Sequence, residues 1–519
     1  MENNDWIKAI AEGELKEGVP SVIEVEENKV LLIRSEGRVY ACGNECSHYH
    51  APLSDGLVAG HVVTCPWHNA RFDLRDGGLV APPGLNGIPS YETRVEEGQV
   101  WIRQTGKGLI PMPEGEDDRT MLIVGAGAAG NAAAETLRRE GFAGRIVMVT
   151  GEAYGPYDRT MLSKDLLSGE APAKWLALRG QKFYDRLNIE LMTEKPVTAV
   201  DPAGRAVTFA DGTTMSADRI LLATGGKPRS LPVPGSDKGG CHLLRSRQDA
   251  EAILGELETA KTVVIVGASF IGLEVACSLR TREIEVHIVA PEEVPLAAVF
   301  GEQIGQRVKK THEENGVIFH LGETVKEFAG QERVREVVLS GGDRLKADCV
   351  IIGVGIRPAV EFLEASGLVK EGAVAVNGRL ETSAQGIFAA GDIALVPDGR
   401  SGEPRRVEHW VEAGRQGMHA ARCMLGAKES YREVPFFWSK QYGSSLRYIG
   451  YAPKFDQVVF RGSVTDKFFV AGFYLNGKLA AAASVGKARE LIRLGQLLEA
   501  GKSLSPEQLK DPGFNLLSL

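Results

Sequence analysis

The sequence has no run of about 18 apolar residues, so nothing in it is expected to span a membrane. Met1 to Leu15 is mixed and acidic, without the cationic start and apolar block of a secretory signal. No basic tract appears and the net charge is −8, which argues against a nucleic-acid ligand. Cysteine is scarce, 7 in 519 residues, too few for a disulfide scaffold. Two of the seven have metal-ligand company, which fits a reducing cytoplasm. Apolar residues make up 43% and charged ones 25%, a soluble globular composition long enough for three or four domains.

What is present begins with a small all-β pattern over residues 1–108. Short alternating runs (Val19 to Val25, Val30 to Arg34, Val39 to Cys42, Val62 to Cys65, Tyr91 to Val95, Val100 to Arg103) sit between Gly, Asn and Pro turns. Two loops carry chemistry, Cys46-Ser47-His48 and Cys65-Pro66-Trp67-His68. Each offers one thiolate and one imidazole, so together they make a four-ligand site of two sulfurs and two nitrogens, which zinc accepts. The pattern, with Ala51-Pro52-Leu53 after the first loop and Phe72-Asp73 and Asp76-Gly77 after the second, resembles the Rieske family. The resemblance implies a [2Fe-2S] cluster with Cys46 and Cys65 on one iron and His48 and His68 on the other. Neutral imidazoles raise its potential above that of an all-cysteine cluster, so it can take electrons from a reduced flavin. The extra loop-bridging cysteine pair of the respiratory branch is absent. His50 and Asn69 stand where the family usually has glycine; Asn tolerates positive φ better than His. His50 reads as a surface spectator rather than an alternative ligand, and Cys42 as a buried strand residue.

After a Gly/Pro/acid-rich linker at 109–118, Thr120 to Gly130 reads as a buried strand followed by Gly125, Gly127 and Gly130. This is the turn, close pyrophosphate approach and helix packing of a dinucleotide fold. A helix over Asn131 to Glu140 directs its N-terminal N–H groups at the phosphates. The strand Arg145 to Thr150 leads to Glu152, about twenty residues on, where a carboxylate binds ribose hydroxyls. Pro156-Tyr157-Asp158-Arg159-Thr160-Met161-Leu162-Ser163-Lys164 then resembles a segment of the reductases related to apoptosis-inducing factor and to dioxygenase ferredoxin reductases. The resemblance implies that Arg159 and Lys164 lie along the flavin of FAD, where cations stabilise its anionic reduced form; a solvated helix start would also account for Arg159. No cysteine occurs in this segment, unlike disulfide reductases, and Cys241, Cys277, Cys349 and Cys423 read as scattered core residues. Ile220 to Gly226, containing Ala223 and Gly225, resembles the Ala-Thr-Gly exit of the flavin domain. Thr382 to Asp392 resembles its last motif, with Gly391 near the cofactor and Asp392 accepting from a ribityl hydroxyl.

The flavin domain is therefore expected in two parts, 119–240 and 366–430, around a second dinucleotide domain at 241–365. There Gly267, Ser269, Gly272 and Glu274 repeat the strand-turn-helix. Ser269 replaces the middle glycine, either pushing a pyrophosphate outward or offering it a hydroxyl. The next strand ends at Ala290, where NADH-selective relatives carry an acid; Glu292 could reach back, and no cation obviously replaces it. NADH is expected, with NADPH open. The family resemblance makes Glu274 and Lys164 a couple beside the nicotinamide, and Val354-Gly355-Ile356-Arg357-Pro358 closes the insert. Glu408-His409-Trp410 resembles the helix entry over the flavin ring, although Trp410 could be plain packing. Residues 431–519 read as a small α+β cap, with strands near Val458 to Phe460, Phe468 to Tyr474 and Leu479 to Ser484 and a helix over Ala488 to Glu499. Its Trp438 lies in a segment resembling the family's interface.

The fold class expected is multidomain: a Rieske β module, two Rossmann-like α/β domains and an α+β cap. The function implied is a flavin-dependent oxidoreductase passing electrons from NAD(P)H through FAD to the cluster and on to a one-electron acceptor protein. Alternatives are the ferredoxin reductase component of an oxygenase or nitrite-reducing system, and an NADH-responsive redox sensor. No 2-His-1-carboxylate constellation follows the Rieske part, so an oxygenase active domain is not expected.

Overall fold

The computed structural model describes residues 5–399 and 401–519. The N-terminal part pairs a six-stranded antiparallel sheet, in the order Ile7–Ala11, Gln99–Gly106, Ser90–Glu96, Arg38–Gly43, Asn28–Ser35, Ser21–Val25, with a four-stranded one made of Leu57–Ala59, Val62–Thr64, Arg71–Asp73 and Leu79–Ala81. The long alternating strands are those the pattern marked. Ile7–Ala11 and the three-residue strands are too short or too charged to show a period of two.

A five-stranded parallel sheet follows, ordered Ile189–Met192, Arg145–Val149, Thr120–Val124, Arg219–Leu222, Ile387–Ala389. Its last strand arrives only after a second sheet of the same design, ordered Cys241–Leu243, Cys349–Ile352, Thr262–Val266, Glu285–Ala290, Val317–Leu321. Both sheets are covered on two faces, which is why their strands read as unbroken apolar runs. Met121, Leu122, Ile123, Val263, Val264 and Ile265 are fully buried. Each sheet also has a three-stranded antiparallel meander beside it. Helix α1 (Ala128–Arg139) begins three residues earlier than expected because Gly127 serves as its N-cap. Helix α2 (Phe270–Thr281) follows the second Gly turn.

The chain then returns through α3 (Trp410–Met424), which packs across α1. The approach is close because Gly417 has no side chain: a Cβ there would stand 2.1 Å from the Ala129 carbonyl oxygen. The C-terminal part is a five-stranded antiparallel sheet backed by α4 (Ala488–Glu499). Its first two strands, Phe436–Gln441 and Ser444–Gly450, escaped sequence reading because both faces are covered and alternation is lost.

The second dinucleotide domain and the C-terminal sheet meet at a buried seam. Cys349 and Cys423 are core residues, but Cys241 and Cys277 are only half-buried; Cys277 lies at this seam and accepts from the Tyr442 N–H at 3.2 Å. His312, fully buried, donates from Nε2 to Gln441 Oε1 at 3.0 Å, while its Nδ1 faces the Tyr442 hydroxyl at 3.4 Å. Burial pushes His312 down from 6.5 to about 4. The unfolded chain then takes up a proton between those limits that the fold refuses, so stability present above pH 6.5 is lost as pH falls toward 4. The loss is on the order of 3 kcal/mol. Urea unfolding at stepped pH should show this slope in the wild-type chain and a flatter one in His312→Gln; identical slopes would remove His312 as the cause.

Candidate redox site

The two cysteine-histidine loops are built alike. Each closes on its own cysteine: His50 N–H donates to the Cys46 carbonyl at 3.0 Å and Asn69 N–H to that of Cys65 at 3.3 Å. Cys46 and Cys65 N–H in turn donate to Ala51 and Ala70 carbonyls at 3.0 and 2.8 Å. Closing so tightly requires left-handed backbone at the fourth residue on, and His50 and Asn69 have φ of 57° and 63°.

The loops bring like donors together. Cys46 and Cys65 are both buried; their mutual hydrogen bond, with burial, pushes the Cys46 thiol up, and the same bond lowers Cys65. The His48 and His68 Nδ1 atoms face each other at 3.0 Å. Two nitrogens on one tetrahedral metal at ordinary bond lengths would lie about 3.3 Å apart. Among the described residues no group of three or more His, Cys, Asp or Glu converges on a single point. Two sulfurs in mutual contact and two nitrogens in mutual contact suit a two-iron unit with one like pair for each iron, so the donor set fits the Rieske cluster.

The histidine end of this module is turned into the rest of the chain. His68 packs on Trp438 with ring centroids 4.2 Å apart, and His48 lies 6.3 Å from the same indole. His48 Nε2 faces Asp158 Oδ2 at 3.9 Å, the outer-carboxylate placement typical of metal-bound imidazole. Tyr49 OH donates to that oxygen at 2.8 Å. Burial alone would raise the Asp158 carboxyl, but His48, Thr160 and Tyr49 hold it at about 2. Burial, with the neighbouring His48 and Arg447, pushes His68 well down. Arg447 donates to the Trp67 carbonyl at 2.9 Å, Arg71 bonds Glu433 at 3.1 Å and also Glu499, and Arg179 reaches Asn86 at 2.8 Å.

Both Gly turns have the same geometry. A Cβ on Gly130 would stand 1.9 Å from the Gly125 carbonyl oxygen, and one on Gly272 would stand 2.1 Å from that of Gly267. At Gly127 nothing lies within 4 Å, so the turn is open where a pyrophosphate would meet the uncapped start of α1. Ser269 directs its hydroxyl to the Gly353 carbonyl at 3.2 Å. Ala223, Gly225 and Gly355 lie at the strand ends beside these turns. Glu152 bonds Arg159 and, at 2.6 Å, the Tyr157 hydroxyl. Asp392 bonds Arg245 at 2.5 Å, and Gly391 N–H donates to Gln416 at 2.8 Å. Glu408 pairs with Arg406, and Glu292 is exposed. Trp410, with His48, Pro82, Pro83 and Met418, lines a small cavity of about 40 Å³ between the β module and α3.

Lys164 and Glu274 meet at 2.8 Å, both largely buried. Lys164 sits in a single π-helical turn, Leu162–Leu166, a form often found at functional positions. The Glu274 carboxylate also accepts from Ser163 and Ser439, each at 2.7 Å. Sequence reasoning missed these two serines, and Asp158, Arg245 and Arg415 as well. Asp158 was only the variable position of its motif, and the others act across chain separations that no local pattern records.

Residues 119–417 match the pyridine nucleotide-disulphide oxidoreductase family, residues 5–92 the Rieske [2Fe-2S] domain and residues 436–519 the reductase C-terminal domain. The chain is 35% identical to apoptosis-inducing factor 3 of Mus musculus, over 97% of this chain and 85% of that one. It is 34% identical to the biphenyl dioxygenase system ferredoxin–NAD(+) reductase component of Paraburkholderia xenovorans, over 77% and 98%. The crystal structure of the ferredoxin reductase for the CYP199A2 system from Rhodopseudomonas palustris superposes with a TM-score of 0.75 at 36% identity, covering 77% of this chain and 99% of that one.

Removing one member of the buried Lys164–Glu274 pair strands the other charge. Lys164→Met alone is expected to cost about 3–5 kcal/mol, and Lys164→Met with Glu274→Gln to recover most of it. Urea unfolding of the four-member cycle measures this, and additive losses would show the two side chains uncoupled.

Proposed function

The chain belongs to the pyridine nucleotide-disulphide oxidoreductase family, with a Rieske [2Fe-2S] domain before it and a reductase C-terminal domain after it, and from that premise we propose which residues serve each cofactor. It is an NAD(P)H-dependent oxidoreductase that carries electrons through FAD toward a Rieske cluster. Bound FAD supplies the exchange between two-electron and one-electron chemistry, and the cluster supplies one-electron chemistry.

Cys46 and Cys65 hold one iron and His48 and His68 the other, with Asp158 as the carboxylate behind His48. Gly125, Gly127 and Gly130 with the start of α1 take the FAD pyrophosphate, and Glu152 and Asp392 take its hydroxyls. Each of those carboxylates keeps lone pairs beyond the arginine it already bonds. Gly267, Ser269 and Gly272 with the start of α2 take the nicotinamide dinucleotide. Glu274 holds the Lys164 ammonium at the seam of the two nucleotide domains, and Trp410 begins the helix that flanks the flavin side. Glu292 and Glu293 are exposed just beyond the strand ending at Ala290, a placement that repels a 2′-phosphate and favours NADH over NADPH.

The observation that carries this reading is the packing of His68 on Trp438: the histidine end of the Rieske module faces the flavoprotein. The family's disulfide chemistry is not available, because residues 156–164 hold no cysteine. The final acceptor is a one-electron carrier of ferredoxin type. No helix among the described residues is long and apolar enough to cross a membrane, and seven cysteines free of disulfides support the reading of a reducing cytoplasm.

Anoxic titration with NADH, followed by absorbance and electron paramagnetic resonance, should bleach the flavin and then bring up the reduced-cluster signal, with NADPH less effective. Cys65→Ser should lose iron and acid-labile sulfide yet still show flavin bleaching. A wild-type cluster that stays oxidised while the flavin bleaches would refute the route.

A further inference from the structure

His50 and Asn69 occupy the same left-handed corner of their two loops, yet their side chains have different fates. His50 is at the surface, 79% exposed, beside Glu45. Asn69 is 3% exposed and points across the domain boundary. Its Oδ1 accepts from Arg415 Nη2 at 2.7 Å, and its carbonyl lies 3.4 Å from the same nitrogen. The Arg415 side chain is 2% exposed. It donates to the Val434 carbonyl at 2.9 Å and faces Glu433 at 3.3 Å, and Glu433 in turn pairs with Arg71 of the β module. The next residue on α3, Gln416, accepts from the Gly391 N–H and is itself oriented by donating to the buried Glu412 at 3.2 Å. Two adjacent residues of one helix thus hold the residue after His68 and the backbone of the last flavin motif.

We propose that Asn69 is a positioning residue for electron transfer: through Arg415 it locks the second cluster loop to the helix that also holds the flavin motif, so α3 shares in setting the separation between the two redox groups. The proposal rests on the electron route given above. NADH delivers two electrons and one proton to the flavin, and the cluster takes one of those electrons. Electron-transfer rates fall steeply with distance, so freeing the loop slows this step and not the reduction of the flavin. At φ 63° a glycine is at home, so Asn69→Gly removes the 2.7 Å side-chain hydrogen bond to Arg415, leaving only the longer carbonyl contact, without straining the loop. Asn69→Asp keeps an acceptor opposite the guanidinium and tolerates the same backbone.

The test is anoxic stopped-flow mixing of the holoprotein with NADH, read separately at flavin and cluster wavelengths, with amide hydrogen exchange over residues 65–71 and 412–418. Asn69→Gly is expected to bleach its flavin within twofold of the wild-type rate, to reduce its cluster at least tenfold more slowly, and to exchange faster in both segments. Asn69→Asp is expected to behave as wild type. The dithionite-reduced paramagnetic spectrum should be the same in all three. Unchanged cluster rate and exchange in Asn69→Gly would overturn the proposal, as would Asn69→Asp behaving like the glycine variant. An altered spectrum would place the effect in the cluster loop itself and also overturn it. A wild-type cluster that NADH does not reduce would refute the route, while the exchange difference would still report the lock.

Discussion

Four consecutive residues on α3 meet four neighbouring segments, two of them in the β module, and much of the placement between domains follows from that one turn of helix. Gly414 lets Pro82 of the β module approach, where a Cβ would be 3.0 Å from the proline ring. Arg415 holds Asn69, Gln416 holds Gly391, and Gly417 lies against Ala129 of α1. Successive positions on a helix point about 100° apart, so one turn can address neighbours on every side, provided the helix is buried all round. Residues Val411 to Met418 are indeed buried without interruption. Two glycines, one amide and one cation are the residue types that permit such crowding.

The polar part of this junction is better understood as specificity than as stability. Arg415, Glu433 and Arg71 form a largely buried charge chain in which burial opposes the Glu433 carboxylate and the two arginines hold its pKa below the ordinary value. Buried ion pairs of this kind seldom stabilise more than a well-packed apolar replacement would, but they penalise every docking that leaves a member unpaired. For a module that must present one particular end to a neighbour, that penalty is useful. An apolar interface would tolerate sliding; a hydrogen-bonded guanidinium does not.

How much of this was legible in the chain depends on distance along it. The two cysteine-histidine loops and the Gly turns are local, because each completes its geometry within a dozen residues, so Cys46 to His48, Cys65 to His68, Gly125 to Gly130 and Gly267 to Gly272 stand out in the sequence, while the groups proposed for them came through family resemblance. The Lys164–Glu274 couple spans two domains and was reachable only through family resemblance. Asn69 appeared as an oddity of backbone preference, and only the fold reveals its partner on a helix far away in sequence. Strand Phe436–Gln441 escaped notice because its residues serve different neighbours: Phe437 packs on Phe270 and His409, Trp438 on His68, and Ser439 on Glu274. A strand whose every side chain has an assignment shows no alternation to find.

That strand also explains why the chain needs its C-terminal part at all. The two dinucleotide domains meet in the short antiparallel pair Gly226–Pro228 with Ile356–Pro358 and in a shared core where Leu162 and Leu166 join Leu273 and Ala276, and the C-terminal strand adds a third tie. Ser439 reaches the same carboxylate that Ser163 reaches from the flavin side, so Glu274 is gripped by both domains flanking its own. One residue earlier, Trp438 meets the histidine end of the Rieske module. Neighbouring side chains of a single strand therefore tie the nicotinamide-side glutamate and the cluster-side imidazole to one rigid sheet. The distances along the proposed electron route are consequently tied to two elements, α3 and this strand.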